Sequence, residues 1–470
     1  MTPQALDSLS REELVALVLA FSEQVRTLQA RIAELEQQLK GPPKTPRNSS
    51  LPPSAGQKEN RPERGRKTRK GRPGVARALA EHPDDVREVF AATCTDCGQP
   101  VMPADQPEVA HAYDHIDLPP LRPIVTRVNL HRGACSCCGA RLTASAPNDM
   151  PVGSPFGPGI VALVTYLHAR HMVSYGRLVE ILDGLLGLEI SEGAIANMLA
   201  RSTEPFAVEA ERIEAAVRQA PVIACDETSA RVMGQTCWQW VFGSDTAVVH
   251  RIAATRSAAV PTDFLQGATP EVWVSDRYGA QAGHGQTHQL CLAHLLRDAQ
   301  YAIDAGDMVF APGFKHLLKR ALAIGGRREA LADSTLAQYR RNLERRLDAL
   351  LATAPSVRAG RTLRDGMAKC CDKLFVFVTR RDVPPTNNVS ERRLRPSVIF
   401  RKVTNGFRSV WGASLYAAIC SVIATAALRG LNALQAIRAC LAGQSVLKPP
   451  GPSPHKGGEQ LPSHRRRNTS

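Results

Sequence analysis

Between residues 14 and 39, apolar side chains recur at Leu14, Val18, Phe21, Val25, Leu28, Ile32, Leu35 and Leu39, with spacings that alternate between four and three. This is a heptad seam, with mostly β-branched residues at one position and mostly Leu at the other. It predicts a coiled-coil helix over residues 8–40 that pairs in parallel with a second copy, Arg31 reaching Glu36 across the seam. A helix packed on its own domain is the alternative. Gly41, Pro42 and Pro43 should stop it. The pattern then lapses over residues 41–75. From residue 40 to 72 eleven Lys or Arg face only Glu59 and Glu63, a net of +9, so this stretch reads as a disordered basic linker that also neutralises phosphates.

Alternating, strand-like stretches return at 86–90 and 124–130, inside an expected domain over 76–150. Helical periodicity fills 156–215. Within it, residues 174–186 and 191–201 flank a turn at Gly187, with Ser191 as N-cap and Glu192 in the first turn. That arrangement is similar to a helix-turn-helix, although two packed helices are common, the second helix is not basic, and a plain helical scaffold is the default reading. Strands and helices alternate from 220 to 410, interrupted by a helical, basic stretch at 308–380. A last helical region covers 411–443, and residues 448–470 read as a disordered tail. The uncharged run at 410–428 is Ala-rich and broken by Gly412, Ser414, Ser421 and Thr425, which favours a buried helix over a membrane span.

Composition sharpens this outline. The 470 residues carry 59 Lys and Arg against 44 Asp and Glu, a formal charge of +15, which points to a polyanionic partner, nucleic acid above all. No basic leader with an apolar run opens the chain, so a cytoplasmic, nucleoid-associated protein without membrane contact is expected. Twelve cysteines are unevenly used. Cys94 and Cys97, followed by Gly98, and Cys135 and Cys138, followed by Gly139, form two knuckles whose thiolates suit one tetrahedral structural Zn²⁺, with a hairpin expected between them. Cys137 leaves the second pair open, and His111 or His115 are substitutes. A disulfide is the competing explanation, disfavoured in a cytosolic chain.

Two apolar runs end on acids: one reaches Asp226, the other Asp276. Strands near 238–242 and 247–253 and a helix separate them. Three antiparallel strands, a helix and a further strand are the order of a ribonuclease-H-like core, in which the first and fourth strands are neighbours. Asp226 and Asp276 would then repel unless cations lie between them, and all-oxygen ligation suits two Mg²⁺ or Mn²⁺ ions. The candidate third acid is Glu391, alone among Arg392, Arg393, Arg395, Arg401, Lys402 and Arg408, six bases suited to holding DNA phosphates. The bases of the 308–380 insertion (Lys315, Lys319, Arg320, Arg327, Arg328, Arg340, Arg341, Arg345 and Arg346) fit flanking DNA or a solvated face equally.

The stretch from Cys225 through Asp226, Glu227 and Thr228 to Phe242, the Ser275-Asp276-Arg277-Tyr278-Gly279 segment with Cys291 and His294 after it, and residues 387–413 together resemble the insertion sequence 66 family of DDE transposases. The paired knuckles and residues 48–54 extend the likeness over roughly residues 10–440. The resemblance implies a catalytic triad of Asp226, Asp276 and Glu391, double-stranded DNA as substrate and target, cleavage at element ends with 3′-hydroxyl strand transfer, and accessory proteins of the element as partners. The expected fold class is multidomain α/β: a ribonuclease-H-like catalytic core with a helical insertion, preceded by a coiled coil, a zinc-knuckle domain and a helical DNA-binding domain. The rivals are another nuclease or resolvase on the same core, and a zinc-dependent DNA-binding regulator without catalysis.

Overall fold

The computed structural model of the chain describes residues 10–49, 51, 77–153 and 155–448, with the side chains of 33–40 left out. Most of the basic linker, the C-terminal tail, the distal half of the 48–54 motif and the Leu35, Glu36 and Leu39 side chains therefore lie outside the described residues.

Helix α1 spans Arg11–Lys40. A capping box starts it, the Ser10 hydroxyl accepting from the Glu13 amide while the Glu13 carboxylate accepts from that of Ser10. Gly41, at φ 66°, ends it as its sequence demands. The seam residues Val18, Phe21, Val25, Leu28 and Ile32 are all exposed within the single chain.

Residues group into two compact units. The smaller, Gln57–Arg127 with Glu180–Glu189, holds the first knuckle, and its described residues 77–127 are largely irregular backbone. The strands expected at 86–90 and 124–130 are not formed, and the two knuckles are not bridged by the expected hairpin. Val89, Ile124 and Val125 are 89, 95 and 89% exposed. β-propensity records fit to a half-buried pleated surface, and with no neighbouring strand to supply one, alternation alone does not make a ladder.

The larger unit contains the second knuckle between β1 (Arg132–Ala134) and β2 (Arg141–Thr143), then α2 (Pro158–Thr165), which runs into a π-helical turn. In chain order the helices α3 (Tyr175–Leu186), whose residues from Glu180 belong to the smaller unit, α4 (Glu192–Arg201) and α5 (Thr203–Arg218) follow. Gly187 takes the left-handed conformation after α3, and Ser191 caps α4 by accepting from the Ala194 amide, as their positions predict.

The core is a five-stranded mixed sheet: β3 (Val222–Val232), β4 (Gln235–Gly243), β5 (Val248–Ala253), β6 (Val272–Ser275) and β7 (Thr287–Leu290), with α6 (Ala259–Leu265) between β5 and β6. Their spatial order is β5-β4-β3-β6-β7. The β3–β4 and β4–β5 pairs are antiparallel, while β6 runs parallel to β3 and to β7. Both edges are tied to the helical segments, β5 by helix side chains and β7 by its own Gln289. The next helices are α7 (Leu292–Asp304), α8 (Ala311–Gly325), α9 (Asp333–Leu351), α10 (Arg358–Ala368) and the single turn α11 (Val376–Thr379). They bury Phe310, Phe314, Leu318, Leu343 and Phe377 in one cluster with Val272, Val274 and Leu290 of the sheet. The β7 edge is tied there through Gln289, which accepts from the Phe377 amide at 3.0 Å and donates to the Leu374 carbonyl.

Last come α12 (Asn388–Thr404), α13 (Val410–Leu428) and α14 (Ala433–Leu441). Helix α13 is long and apolar enough to cross a membrane, yet it packs along β5 and α5 with Leu415, Ile419 and Val422 buried. Its Thr425 hydroxyl accepts from the Val248 amide at 3.0 Å and its Ser421 hydroxyl from the His250 amide at 2.8 Å. The outer edge of β5 thus finds partners for amides that would otherwise be buried and unpaired.

Candidate active site

The parallel register pairs Val222 with Val272, Ile223 with Trp273 and Ala224 with Val274. Continuing it by two residues sets Asp226 opposite Asp276. Because side chains alternate, both carboxylates stand on the face of Val222, Ala224, Val272 and Val274, which is the face covered by α7 and the helices after it. Residues Ile223, Cys225, Phe242 and Trp273 are buried, and Phe242 stacks on Phe264 of α6 at 3.9 Å. One oxygen of each aspartate is used locally: the Glu227 amide donates to Asp226 at 2.9 Å, and the Tyr278 amide to Asp276 at 2.9 Å. The second oxygen of each takes no hydrogen bond from the described residues. Burial first, then the charges of Glu227 and Asp276, push the Asp226 carboxyl well above the usual carboxylate range.

Glu391 lies in the first turn of α12, which packs across β3 and β4. Its charge also reaches Asp226 and helps raise that group's pKa. Its carboxylate is held by α7, however, accepting from the Arg297 guanidinium at 3.3 Å with His294 Nε2 at 3.6 Å. The three acids therefore share one region, but among the described residues no three His, Cys, Asp or Glu side chains converge into a ready metal cage. Around Glu391, His294 Nδ1, Arg297 Nε, Asn387 Oδ1 and Ser390 Oγ are buried without a hydrogen-bond partner. Buried polar atoms are nearly always paired, so this wall has donors and acceptors to offer a polar ligand.

Glu227, adjacent to Asp226, has another use. Its side chain is 1% exposed and bonded to Arg256 at 2.7 Å and to Gln281 at 2.6 Å. Arg256 lies over the rings of Trp238 and Tyr278, and Tyr278 donates to the Arg256 carbonyl. This network braces the turn after Asp276 against β3. Sequence pattern missed it, together with Arg297 and Asn387. The one available signal was the i, i+3 spacing of His294 and Arg297, which puts both on one helical face.

Of the six bases placed with DNA, Arg392, Arg395, Lys402 and Arg408 are exposed. Arg393 and Arg401 are committed within the fold. Arg393 donates to the Ser244 carbonyl, and burial lowers its pKa to about 10; Arg401 donates to the Ser229 carbonyl and hydroxyl. In the insertion, Arg328 is likewise used to bond the carbonyls of Phe377, Arg381 and Val383.

The knuckles share one geometry. Cys94 and Cys135 each donate an amide across the turn, to Gln99 and Ala140 at 2.8 Å, and Gly98 and Gly139 return to the Cys94 and Cys135 carbonyls with φ near 73° and 71°. The amides of Cys97 and Asp96, and of Cys138 and Cys137, aim at the Cys94 and Cys135 sulfurs and lower their pKa values. All twelve cysteines are free thiols.

Comparison with protein families decides the assignment. The profile described as "Transposase IS66 family" matches residues 153–415, more than half of the chain. The chain belongs to the IS66 transposase family. A second profile, described as a family of unknown function (DUF6444), matches residues 1–82, and no curated protein matches the chain. For an IS66-family transposase, the matched span contains the whole mixed sheet, both aspartates and Glu391.

Proposed function

We propose that this transposase cleaves DNA at the ends of its element and joins the freed 3′-hydroxyls to target DNA, on a ribonuclease-H-like core whose reacting centre is Asp226, Asp276 and Glu391. What supports the reading is the parallel register of β3 and β6, which continued by two residues beyond Ala224 and Val274 sets Asp226 opposite Asp276, with Glu391 in the first turn of the helix that packs across β3 and β4. Ligand sites in α/β sheets lie beyond the carboxyl ends of parallel ladders, and both aspartates stand just past the last parallel pair, Ala224 with Val274.

A hard, all-oxygen donor set suits Mg²⁺ or Mn²⁺, each aspartate has one uncommitted oxygen, and the mutual repulsion at Asp226 is what a cation would relieve. Two such ions would supply the positive charge that stabilises an in-line displacement at phosphorus. The chain's own part is to orient these carboxylates and exclude competing partners. For Glu391 that means release from Arg297, whose guanidinium then faces the DNA phosphates. In cleavage, water oxygen bonds to phosphorus as the P–O3′ bond breaks, leaving a 5′-phosphate and a 3′-hydroxyl. In transfer that hydroxyl attacks a target phosphodiester, displacing the target's own 3′-oxygen, which takes up the proton. Exposed Arg392, Arg395, Lys402 and Arg408 line the helix and turn next to this centre and serve as phosphate contacts.

Cys94 with Cys97 and Cys135 with Cys138 are the thiolate pairs we assign to structural zinc, although among the described residues no three Cys, His, Asp or Glu side chains converge on one point. The exposed seam of α1 is covered by a second copy of α1, since two element ends must be held together. Cytoplasmic action on the nucleoid and a need for the element's accessory proteins belong to the same reading. The test is strand transfer of end-containing duplex DNA with Mg²⁺, run with and without the element's accessory proteins. Wild type should nick and join; Asp226→Asn and Glu391→Gln should bind the ends yet do neither. Nicking without joining would indicate a nuclease or resolvase, and binding with no metal-dependent nicking a regulator. Retained cleavage by either variant refutes the assignment of the acids.

A further inference from the structure

The three acids sit on three separate elements, so something must fix their mutual placement. Asn387 is 1% exposed and immediately precedes α12. Asn at a helix N-cap ordinarily turns its side-chain oxygen onto the first free amides of the helix. Asn387 makes no such cap, and its Oδ1 is left buried without a partner. Its side chain is directed elsewhere: Nδ2 donates to the Cys225 carbonyl at 2.7 Å. Its backbone amide donates to the Cys291 sulfur at 3.0 Å, and its carbonyl accepts from the Glu391 amide at 3.2 Å. Cys291 in turn donates its own amide to the Ser275 carbonyl at 2.8 Å. The Cys225 and Ser275 carbonyls belong to the peptide groups that lead directly into Asp226 and Asp276. One buried side chain and one thiol thus join the peptide ahead of each aspartate to the helix turn that carries Glu391.

We propose that Asn387, acting with Cys291, is a positioning residue that sets the spacing of the three carboxylates and thereby their affinity for divalent cations. This rests on the carboxylate reading given above. A purely structural staple of α12 onto the sheet would affect stability alone, whereas a positioning role acts on cation affinity. Outer-shell residues of this kind typically alter metal affinity by about ten- to a hundredfold.

The experiment is calorimetric titration of Mn²⁺ into the full-length protein, paired with melting in EDTA. Wild type should bind Mn²⁺ and Asp226→Asn should not. Asn387→Ala should bind roughly ten- to a hundredfold more weakly. The control, Leu343→Ala in the helical cluster, should lower the melting temperature while keeping wild-type affinity. Cys291→Ala should weaken binding in the same direction and Cys291→Ser, which retains an acceptor, should restore it; this pair carries the test if Asn387→Ala does not fold. Wild-type affinity in Asn387→Ala or Cys291→Ala, or an equal loss in Leu343→Ala, overturns the positioning role alone. Absence of Mn²⁺ binding by wild type, or undiminished binding by Asp226→Asn, overturns the carboxylate reading and this proposal with it.

Discussion

Removing one charge from the acidic centre should make the metal-free protein more stable. In Asp226→Asn the side-chain oxygen still accepts from the Glu227 amide, so the 2.9 Å bond survives while the negative charge goes. Neighbouring strands are about 4.8 Å apart, and two carboxylates at roughly 5 Å repel by about 3 kcal/mol at an effective dielectric near 20. Water reaching the half-buried Asp226 reduces this to about 2 kcal/mol. For a unit of this size that corresponds to a rise of roughly 2–3 °C in melting temperature. The pH sense follows from the raised pKa of Asp226. Below the unfolded carboxyl pKa, about 3.9, the group is protonated in both states and the two proteins should melt alike. As pH rises from there through the elevated native value, the unfolded wild type ionises first, so wild type loses stability and the gap opens. Calorimetric melting in EDTA at pH 4 to 8 reads this directly, and added Mg²⁺ should stabilise wild type while leaving the variant unmoved. If Asp226→Asn melts at or below wild type at pH 7.5 without metal, the acids do not crowd one another and the reasoning fails.

Thr425→Val, which keeps shape but leaves the Val248 amide and carbonyl of the β5 edge unpaired, should cost about 1–3 kcal/mol in urea unfolding; a cost below about 0.5 kcal/mol would show that the edge finds other partners. Asp at both Val25 and Ile32 should lower the mass measured by light scattering to that of one chain, and an unaltered mass would remove α1 from the assembly. The purified protein should contain zinc by elemental analysis, and Cys94→Ser with Cys135→Ser should remove it, whereas unchanged zinc would relocate the site.

Periodicity made the sheet and most helices legible because their side chains are sorted by burial along single elements. The apolar runs ending at Asp226 and Asp276 became β3 and β6, and their neighbourhood in the sheet is the expected one. The same logic misled at 86–90 and 124–130, where alternation exists but no strand lies alongside. Ser421 and Thr425 illustrate a different limit. In the sequence they interrupt an apolar run; in the fold they are partners for an edge strand some 170 residues earlier. Arg393, Arg401 and Arg328 look like phosphate binders by charge alone, yet carbonyls at turns and strand ends claim them. Asn387 and Arg297 were invisible as site residues, since their partners lie far away in the chain and only tertiary packing brings them together.

The short strap after α1 is pinned at both ends to α7. The Tyr301 hydroxyl occupies the place a Cβ on Gly41 would need, and Asn48, 4% exposed, donates to Asp304 at 2.9 Å and to the Pro43 carbonyl. Helix α7 begins beside Glu391, about 15 Å from the strap at 1.5 Å per residue. Were two chains to zip along α1 as proposed, each rod would end on the very helix that abuts its own acidic centre. Such a pair would act as a caliper: the gap between the jaws, and so the distance between two DNA ends presented to a target, would be gauged at the strap rather than left to a slack tether.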